Sequence, residues 1–354
     1  MMTNMSKEKD RMITMAHGAG GELMDELIHE LILPSFRSDI GEIPLSDLDD
    51  SAIIEDIVIT TDGHTVKPIF FPGGDLGSLS IAGTVNDLLA IGAKPIALTA
   101  GIILPEGIFI DEIQQLLSSA SKICKRTGIF IVAGDTKVVE KTDLDSPVMT
   151  TTGIGKRHPL MDQNMEIAGE RKKDWLSDQN LKDGDKIILT GTVGDHGITI
   201  LSEREGYGFQ GEIKSDIAPL VDVMESALKV GGVASAKDPT RGGIANSLNE
   251  IASKSDVGIE IIENDIPMKN WVKNGGELLG IDPLTIGNEG KFIMAVEPSL
   301  AEDVLAAIKK TDEGKDAAIV GEVKKDIEGV VLRTEVGGTR ILETPVGDPV
   351  PRIC

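Results

Sequence analysis

The segment Asp111–Asp135 reads DEIQQLLSSASKICKRTGIFIVAGD. Over Asp111–Thr127 the apolar residues Ile113, Leu116, Leu117, Ala120, Ile123 and Cys124 recur at three- and four-residue intervals. That is one stripe of an amphipathic helix. Gly128 stands where such a helix closes, because glycine takes the left-handed closing conformation at least cost. The next run, Ile129–Ala133, is apolar throughout and short, which predicts a buried strand. It ends at Gly134-Asp135. A helix that turns through one glycine into a buried strand predicts a layered α/β fold.

Working outward, the same alternation recurs. Glu22–Leu33 reads as a helix carrying Leu23, Leu27, Ile28, Leu31 and Ile32, with Pro34 ending it. Ile53–Thr60 is a β-branched strand running into Thr61-Asp62-Gly63. Leu76–Ile91 has helical spacing with Gly92 as its stop, and Pro95–Leu104 reads as a strand. The charge-rich, weakly periodic stretch 156–186 predicts a linker. Beyond it, strands are expected at 187–190, 257–262, 291–296, 317–323 and 329–333, and helices at 216–230, 243–254 and 300–309. The pattern is mixed α/β twice over. The expected parts are an N-terminal glycine-rich segment and helix (1–40), a domain over 41–155, the linker, a second domain over 187–336, and a tail over 337–354. In that tail Gly337 and Gly338 precede Pro345, Pro349 and Pro351. Such proline spacing disfavours helix and predicts an extended, flexible arm.

The 354 residues suffice for two domains. Aromatics are only 3%, so the cores must rest on Ile, Val, Leu, Ala and Met. A formal net charge of −23 repels both a nucleic-acid backbone and an anionic membrane, so neither is an expected partner. A chain this acidic would need metal cations to hold a polyphosphate. No apolar run approaches the ~20 residues that span a bilayer, and Met1–Arg11 lacks the apolar core of a signal peptide. Two cysteines cannot build a disulfide framework. The expected location is the cytoplasm.

Four carboxylates stand where a phosphate–metal site would want them. Asp50 precedes a strand, Asp62 follows one, Asp87 lies on a helix, and Asp135 follows the Ile129–Ala133 strand. Mg²⁺ takes hard oxygen ligands and bridges carboxylates to phosphates. Each Asp taken alone also suits a turn or a helix cap. His17-Gly18-Ala19-Gly20-Gly21 precedes a helix and could wrap phosphates through backbone N–H groups. Neither a P-loop nor a dinucleotide-binding glycine motif is present. Cys124 lies on the apolar stripe of its helix and reads as a core thiol. Cys354 ends a proline-rich arm, where a thiol suits a carried acyl-type group. The five histidines lack metal-ligand spacing.

Six further segments then carry a resemblance. They are Phe71–Asp75, Gly83–Leu88 (GTVNDL), Gly134–Val139 (GDTKVV), Gly194–Gly197 (GDHG), Asp238–Gly243 (DPTRGG) and Asn288–Lys291 (NEGK). With the ending Pro351-Arg352-Ile353-Cys354, they resemble in order the HypE family of hydrogenase maturation proteins. The resemblance spans nearly the whole chain from His17. It places the chain among aminoimidazole ribonucleotide synthetase-like ATP enzymes, with two α/β domains and an extended C-terminal tail, and makes 41–155 the ATP-binding and dimerisation domain.

The resemblance implies ATP-dependent dehydration of an S-carboxamide on Cys354 to a thiocyanate, supplying cyanide for the iron of [NiFe]-hydrogenase. It implies ATP and Mg²⁺ as cofactors. A carbamoyltransferase that loads Cys354, an iron-carrying scaffold that accepts cyanide, and a second copy in a homodimer are the implied partners. Mg²⁺ would sit on Asp50, Asp62, Asp87 and Asp135. Lys137 would steady charge on oxygen and Glu289 would act as base. The nucleotide would be held by His17, Gly18, Gly20, Gly21, Thr61, Asn86, Gly134, Thr136 and Asp238. The charged stretch Arg171–Asn180 matches no motif. Two alternatives stay open: another ATP-dependent kinase or synthetase of the same superfamily, and a non-enzymatic cysteine carrier.

Overall fold

The computed structural model describes residues 12–18, 20–36, 39–207 and 213–345; Cys354 therefore lies outside the described residues. Helix α1 (Glu22–Leu27) continues through a wider turn over Ile28–Ile32. The first half then runs β1 (Ala52–Ile54), β2 (Ile57–His64), β3 (Phe70–Phe71), β4 (Gly74–Asp75), α2 (Leu76–Ala90), β5 (Ala93–Pro105), α3 (Ile110–Thr127), β6 (Phe130–Val139) and β7 (Val148–Arg157). The second half runs α4 (Met161–Ala168), β8 (Lys186–Leu189), α5 (Asp195–Glu205), α6 (Val221–Val230), β9 (Val233–Lys237), α7 (Gly243–Ser255), β10 (Gly258–Ile262), α8 (Asn270–Leu279), β11 (Ile293–Val296), α9 (Ala301–Ile308), β12 (Ala318–Lys324), β13 (Val330–Arg333) and β14 (Thr339–Ile341).

The first sheet has the order β1-β2-β7-β5-β6, with only β5 and β6 parallel. The second has the order β14-β13-β10-β12-β8-β11-β9, with β10 and β13 parallel. Between them lies α2, apolar around almost its full circumference and buried along nearly its whole length. Asp75 starts this helix: its carboxylate accepts from Ser78 N at 2.8 Å, and the Ser78 hydroxyl accepts from Asp75 N at 2.8 Å. Gly77 lets α3 lie close, since a Cβ there would fall 2.0 Å from the Leu116 carbonyl oxygen. Ile81, Val85 and Leu89 of α2 share one apolar cluster with Met224 and Leu228 of α6, with Phe292 just before β11 and with Met294 in it. The two halves thus share a core rather than hanging on a linker.

Four sequence expectations change. The strand at 129–133 exists within β6, but it is not buried: Phe130 is 70% and Val132 64% exposed. β6 is a sheet edge, so its apolar run marks a surface that none of the described residues covers. The expected linker 156–186 is packed structure. Arg171 pairs with Asp185 at 2.5 Å, both buried, and Trp175, Leu176, Ser177 and Asn180 are buried too. Its charges mislead because they pair with one another and with both halves. Helix α6 starts at Val221, not at 216, because Asp216 is committed to a loop described below. The tail expected as a free arm from Gly337 first forms a hairpin. Gly337 N donates to the Thr334 carbonyl at 2.9 Å, β14 pairs with β13, and Leu342 is buried. Among the described residues no helix is long and apolar enough to cross a membrane.

Candidate functional site

Carboxylates from both halves meet in a cleft of about 200 Å³. The first half contributes Asp50, Thr60, Thr61, Asp62, Gly63, His64, Gly83 and Asp87. The second contributes Asp238, Thr240, Arg241 and Glu289. Asp62 and His64 are two positions apart on β2, so their side chains leave the same face. Asp87 comes from the last turns of α2, whose position is set by the cap and glycine contact described above. Asp238 follows β9, and Glu289 precedes β11 on the neighbouring strand.

Hydrogen bonds fix the carboxylates. The Thr60 hydroxyl donates to Asp87 Oδ2 at 2.8 Å, with the Asp50 carbonyl 3.1 Å from the same hydroxyl oxygen. His64 Nε2 lies 3.0 Å from Asp62 Oδ2, Gly63 N donates to Asp62 Oδ1 at 2.8 Å, and Arg241 Nη2 is 3.7 Å from Oδ1. Lys237 Nζ holds Asp50 Oδ1 at 3.0 Å. Glu289 is buried, and its Oε1 has no hydrogen-bond partner among the described residues.

The electrostatics divide these groups. Burial, reinforced by Asp238, Asp62 and Asp50, pushes the Asp87 carboxyl well above its ordinary range. Burial and Asp50 do the same to Asp238, and burial, Asp238 and Asp216 to Glu289. Burial also acts on Asp62, but the His64 hydrogen bond and charge, with Arg241, outweigh it and hold that carboxyl at about 2. Like charges crowded in a buried space call for cations. Among the described residues no three His, Cys, Asp or Glu groups already form a cage around one point.

The expected site residues separate into groups. Asp50, Asp62, Asp87, Thr61, Asp238 and Glu289 line the cleft. Gly20 and Gly21, with φ of 80° and 90°, sit at its edge. A Cβ on Gly20 would lie 2.9 Å from the Arg241 backbone, and one on Gly21 1.9 Å from the Pro345 carbonyl oxygen. His17 folds back on the Thr14 hydroxyl at 2.9 Å, and Gly18 is exposed beside it. Asn86 is a buried strut: its amide donates to the Ala218 carbonyl at 3.0 Å and accepts from Leu220 N at 2.9 Å. Asp135 and Lys137, with Gly134 and Thr136, lie exposed on β6. The ladder Asp62↔Thr151, Ala100↔Thr151, Ala100↔Gly134 puts β7 and β5 between β2 and β6. Three strand spacings amount to roughly 14 Å. Asp135 therefore shares no cation with Asp62 within one chain.

Sequence reasoning missed His64, Thr60, Thr240 and Arg241. The i, i+2 spacing of His64 from Asp62 was the available signal. Thr240 and Arg241 lie inside the Asp238–Gly243 motif.

The chain matches the AIR synthase related protein N-terminal domain over residues 48–156 and the AIR synthase related protein C-terminal domain over 182–333. It is 45% identical over 349 residues to a putative hydrogenase expression/formation protein of Methanocaldococcus jannaschii, covering 97% of this chain and 99% of that one. It is 39% identical over 348 residues to the carbamoyl dehydratase HypE of Azotobacter vinelandii, covering 97% of each. Among solved structures, a HypE–HypF complex superposes with a TM-score of 0.82 at 40% identity, covering 90% of this chain and 99% of that one. HypE in complex with ATP superposes with a TM-score of 0.78 at 38% identity, covering 97% and 100%.

Proposed function

The chain belongs to the HypE family of AIR synthase-related proteins, and from that premise we propose that it dehydrates an S-carboxamide on its own Cys354 to a thiocyanate. It is an ATP-dependent carbamoyl dehydratase of hydrogenase maturation. The observation that carries the site assignment is the convergence of Asp50, Asp62, Asp87, Asp238 and Glu289 in one cleft.

The chemistry balances as follows. The carboxamide oxygen attacks the γ-phosphorus of ATP, forming a C–O–P linkage and releasing ADP. The nitrogen then gives up two protons, the C–O bond breaks, phosphate departs, and C≡N remains on sulfur. Mg²⁺, when bound, neutralises charge on the transferring phosphoryl group. Asp50, Asp62, Asp87 and Asp238 would hold it. Glu289 stands in the same cleft with Oε1 unengaged. Its raised pKa makes it a strong base once ionised, and cations entering the cleft favour the ionised form.

The tail supports action on its own thiol. Pro345 packs at the Gly21–Gly242 edge of the cleft. Cys354 lies nine positions further along the chain, a span of up to about 30 Å. In this reading a carbamoyltransferase loads the thiol and an iron-carrying scaffold takes the cyanide; a related HypE is seen in complex with a partner protein, HypF.

Two copies complete the site. Phe130, Ile131, Val132 and Val138 of β6 are exposed, as are Ile57 and Ile59 of β2. A second copy covering this face would bury that apolar surface and bring its Asp135 and Lys137 toward the cleft. The protein acts in the cytoplasm as this homodimer.

ADP release in single turnover tests the function. It should require a carbamoylated Cys354 and be absent from the unloaded chain. ATP turnover independent of that thiol would favour another kinase or synthetase of the superfamily.

A further inference from the structure

The stretch Arg171–Asn180 matches no motif, yet it packs beside the cleft. Trp175 Nε1 donates to Glu42 Oε2 at 3.1 Å, the Ser177 hydroxyl donates to Asp49 Oδ2 at 2.8 Å, and Lys173 Nζ lies 2.8 Å from Asp47 Oδ2. Those contacts tie it to the first half. Its Asp178 turns the other way, to Lys254 Nζ at 2.7 Å and Lys237 Nζ at 3.1 Å. The Ser255 hydroxyl donates to the Asp178 carbonyl at 2.6 Å.

Lys237 ends β9 and is buried among three carboxylates. Asp50 Oδ1 is 3.0 Å from its ammonium, Asp178 Oδ2 3.1 Å and Glu250 Oε2 3.3 Å. An ammonium has three protons, so each partner can take one. Asp50 lines the cleft, and the residue after Lys237 is Asp238, which lines it too. Lys237 therefore stands directly behind Asp50 and adjoins Asp238 in the chain. Ligands of a metal are themselves oriented by an outer layer of hydrogen bonds, and loss of that layer costs about 10–100-fold in metal affinity.

We propose that Lys237, anchored by Asp178 of the 171–180 stretch, is a positioning residue that aims Asp50 at the divalent cation accompanying ATP. The proposal rests on the metal–nucleotide reading of the cleft. It gives the charged stretch a role: it carries the counter-charge that keeps a buried lysine in place across the two halves. One anchored cation thus sets the orientation of Asp50 before nucleotide arrives.

Mn²⁺ affinity in the presence of a non-hydrolysable ATP analogue tests this, read by the paramagnetic signal of free Mn²⁺ on the full chain. Lys237→Met should weaken Mn²⁺ binding about tenfold or more, and Lys237→Arg should recover most of it. Lys237→Met leaves Asp50 buried and unpaired, so it can fail to fold. Asp178→Asn keeps both Lys237 and Asp50 and should still weaken Mn²⁺ several-fold. Wild-type affinity in a folded Asp178→Asn or Lys237→Met chain overturns the proposal. So does a loss that Lys237→Arg fails to rescue while melting temperature falls in parallel, since that marks a structural role alone. A wild-type chain that binds no Mn²⁺ with the analogue would instead overturn the metal–nucleotide reading itself.

Discussion

The backbone N–H of Glu289 donates to Asp216 Oδ1 at 3.3 Å, and that of Gly290 donates to Oδ2 of the same carboxylate at 3.3 Å. Asp216 in turn sits 3.4 Å from Lys291 Nζ. A Cβ on Gly290 would fall 1.9 Å from the Asp216 carbonyl oxygen, so the loop can lie this close only with glycine there. The result is a rigid support that presents Glu289 to the cleft with Oε1 unengaged. Glu289→Gln keeps the shape and loses the proton acceptor. Thiocyanate formation should fall by about 10²-fold or more, while ATP binding measured by calorimetry stays near wild type. Undiminished dehydration would move the base elsewhere.

The cleft carboxylates predict a metal dependence. Asp62→Asn and Asp87→Asn should each raise the Mg²⁺ concentration needed for half-maximal ATP turnover, because each removes a hard anionic ligand. Excess Mg²⁺ should restore part of the rate. Unchanged Mg²⁺ titration curves in both variants would leave these residues as turn and strand-end structure.

The position of β6 predicts complementation. At limiting Mg²⁺, Asp62→Asn and Lys137→Ala chains should each lose most of their activity alone. If Lys137 acts across the dimer, co-refolded mixtures should regain activity through one intact site per mixed dimer. Mixtures as inactive as their parents would confine Lys137 to its own chain or deny it a role.

Asp49 predicts a pH dependence of stability. Burial, with the nearby Asp178 charge, pushes its carboxyl up from 3.8 to about 7, despite Lys254 and the Ser177 hydrogen bond. The folded state then binds a proton that the unfolded state releases above pH 3.8. This contribution to stability is therefore lost as pH rises from about 4 to about 7. Asp49→Asn should flatten the fall of melting temperature across that window and raise it at pH 8. A variant that melts like wild type at every pH would remove Asp49 from the account.

Much of this was legible from local pattern. The α3–Gly128–β6 succession and the α2 helix follow from periodicity and glycine placement; Asp87, Asp238 and Glu289 fall inside the motif segments, and Asp62 follows a β-branched strand. What stayed hidden was long-range. The apolar run in β6 announced burial, but β6 is a sheet edge whose apolar residues are exposed among the described residues. The charges of 171–180 looked solvated because their partners, Lys237 and Lys254, lie about 60–80 positions away in sequence. The hairpin at Gly337 was masked by the prolines beyond it. His64 has no metal-ligand spacing and is legible only through its strand alternation with Asp62.

The central claim is dehydration on Cys354, and the mass of the C-terminal peptide tests it most directly. The chain would be loaded by its carbamoyltransferase, given ATP and Mg²⁺, then quenched and digested. The account predicts that the peptide carrying Cys354 first gains the mass of a carboxamide and then loses one water to become the thiocyanate, in step with ADP release. A peptide that stays at the carboxamide mass while ADP accumulates, or that never carries the carbamoyl group, would contradict it.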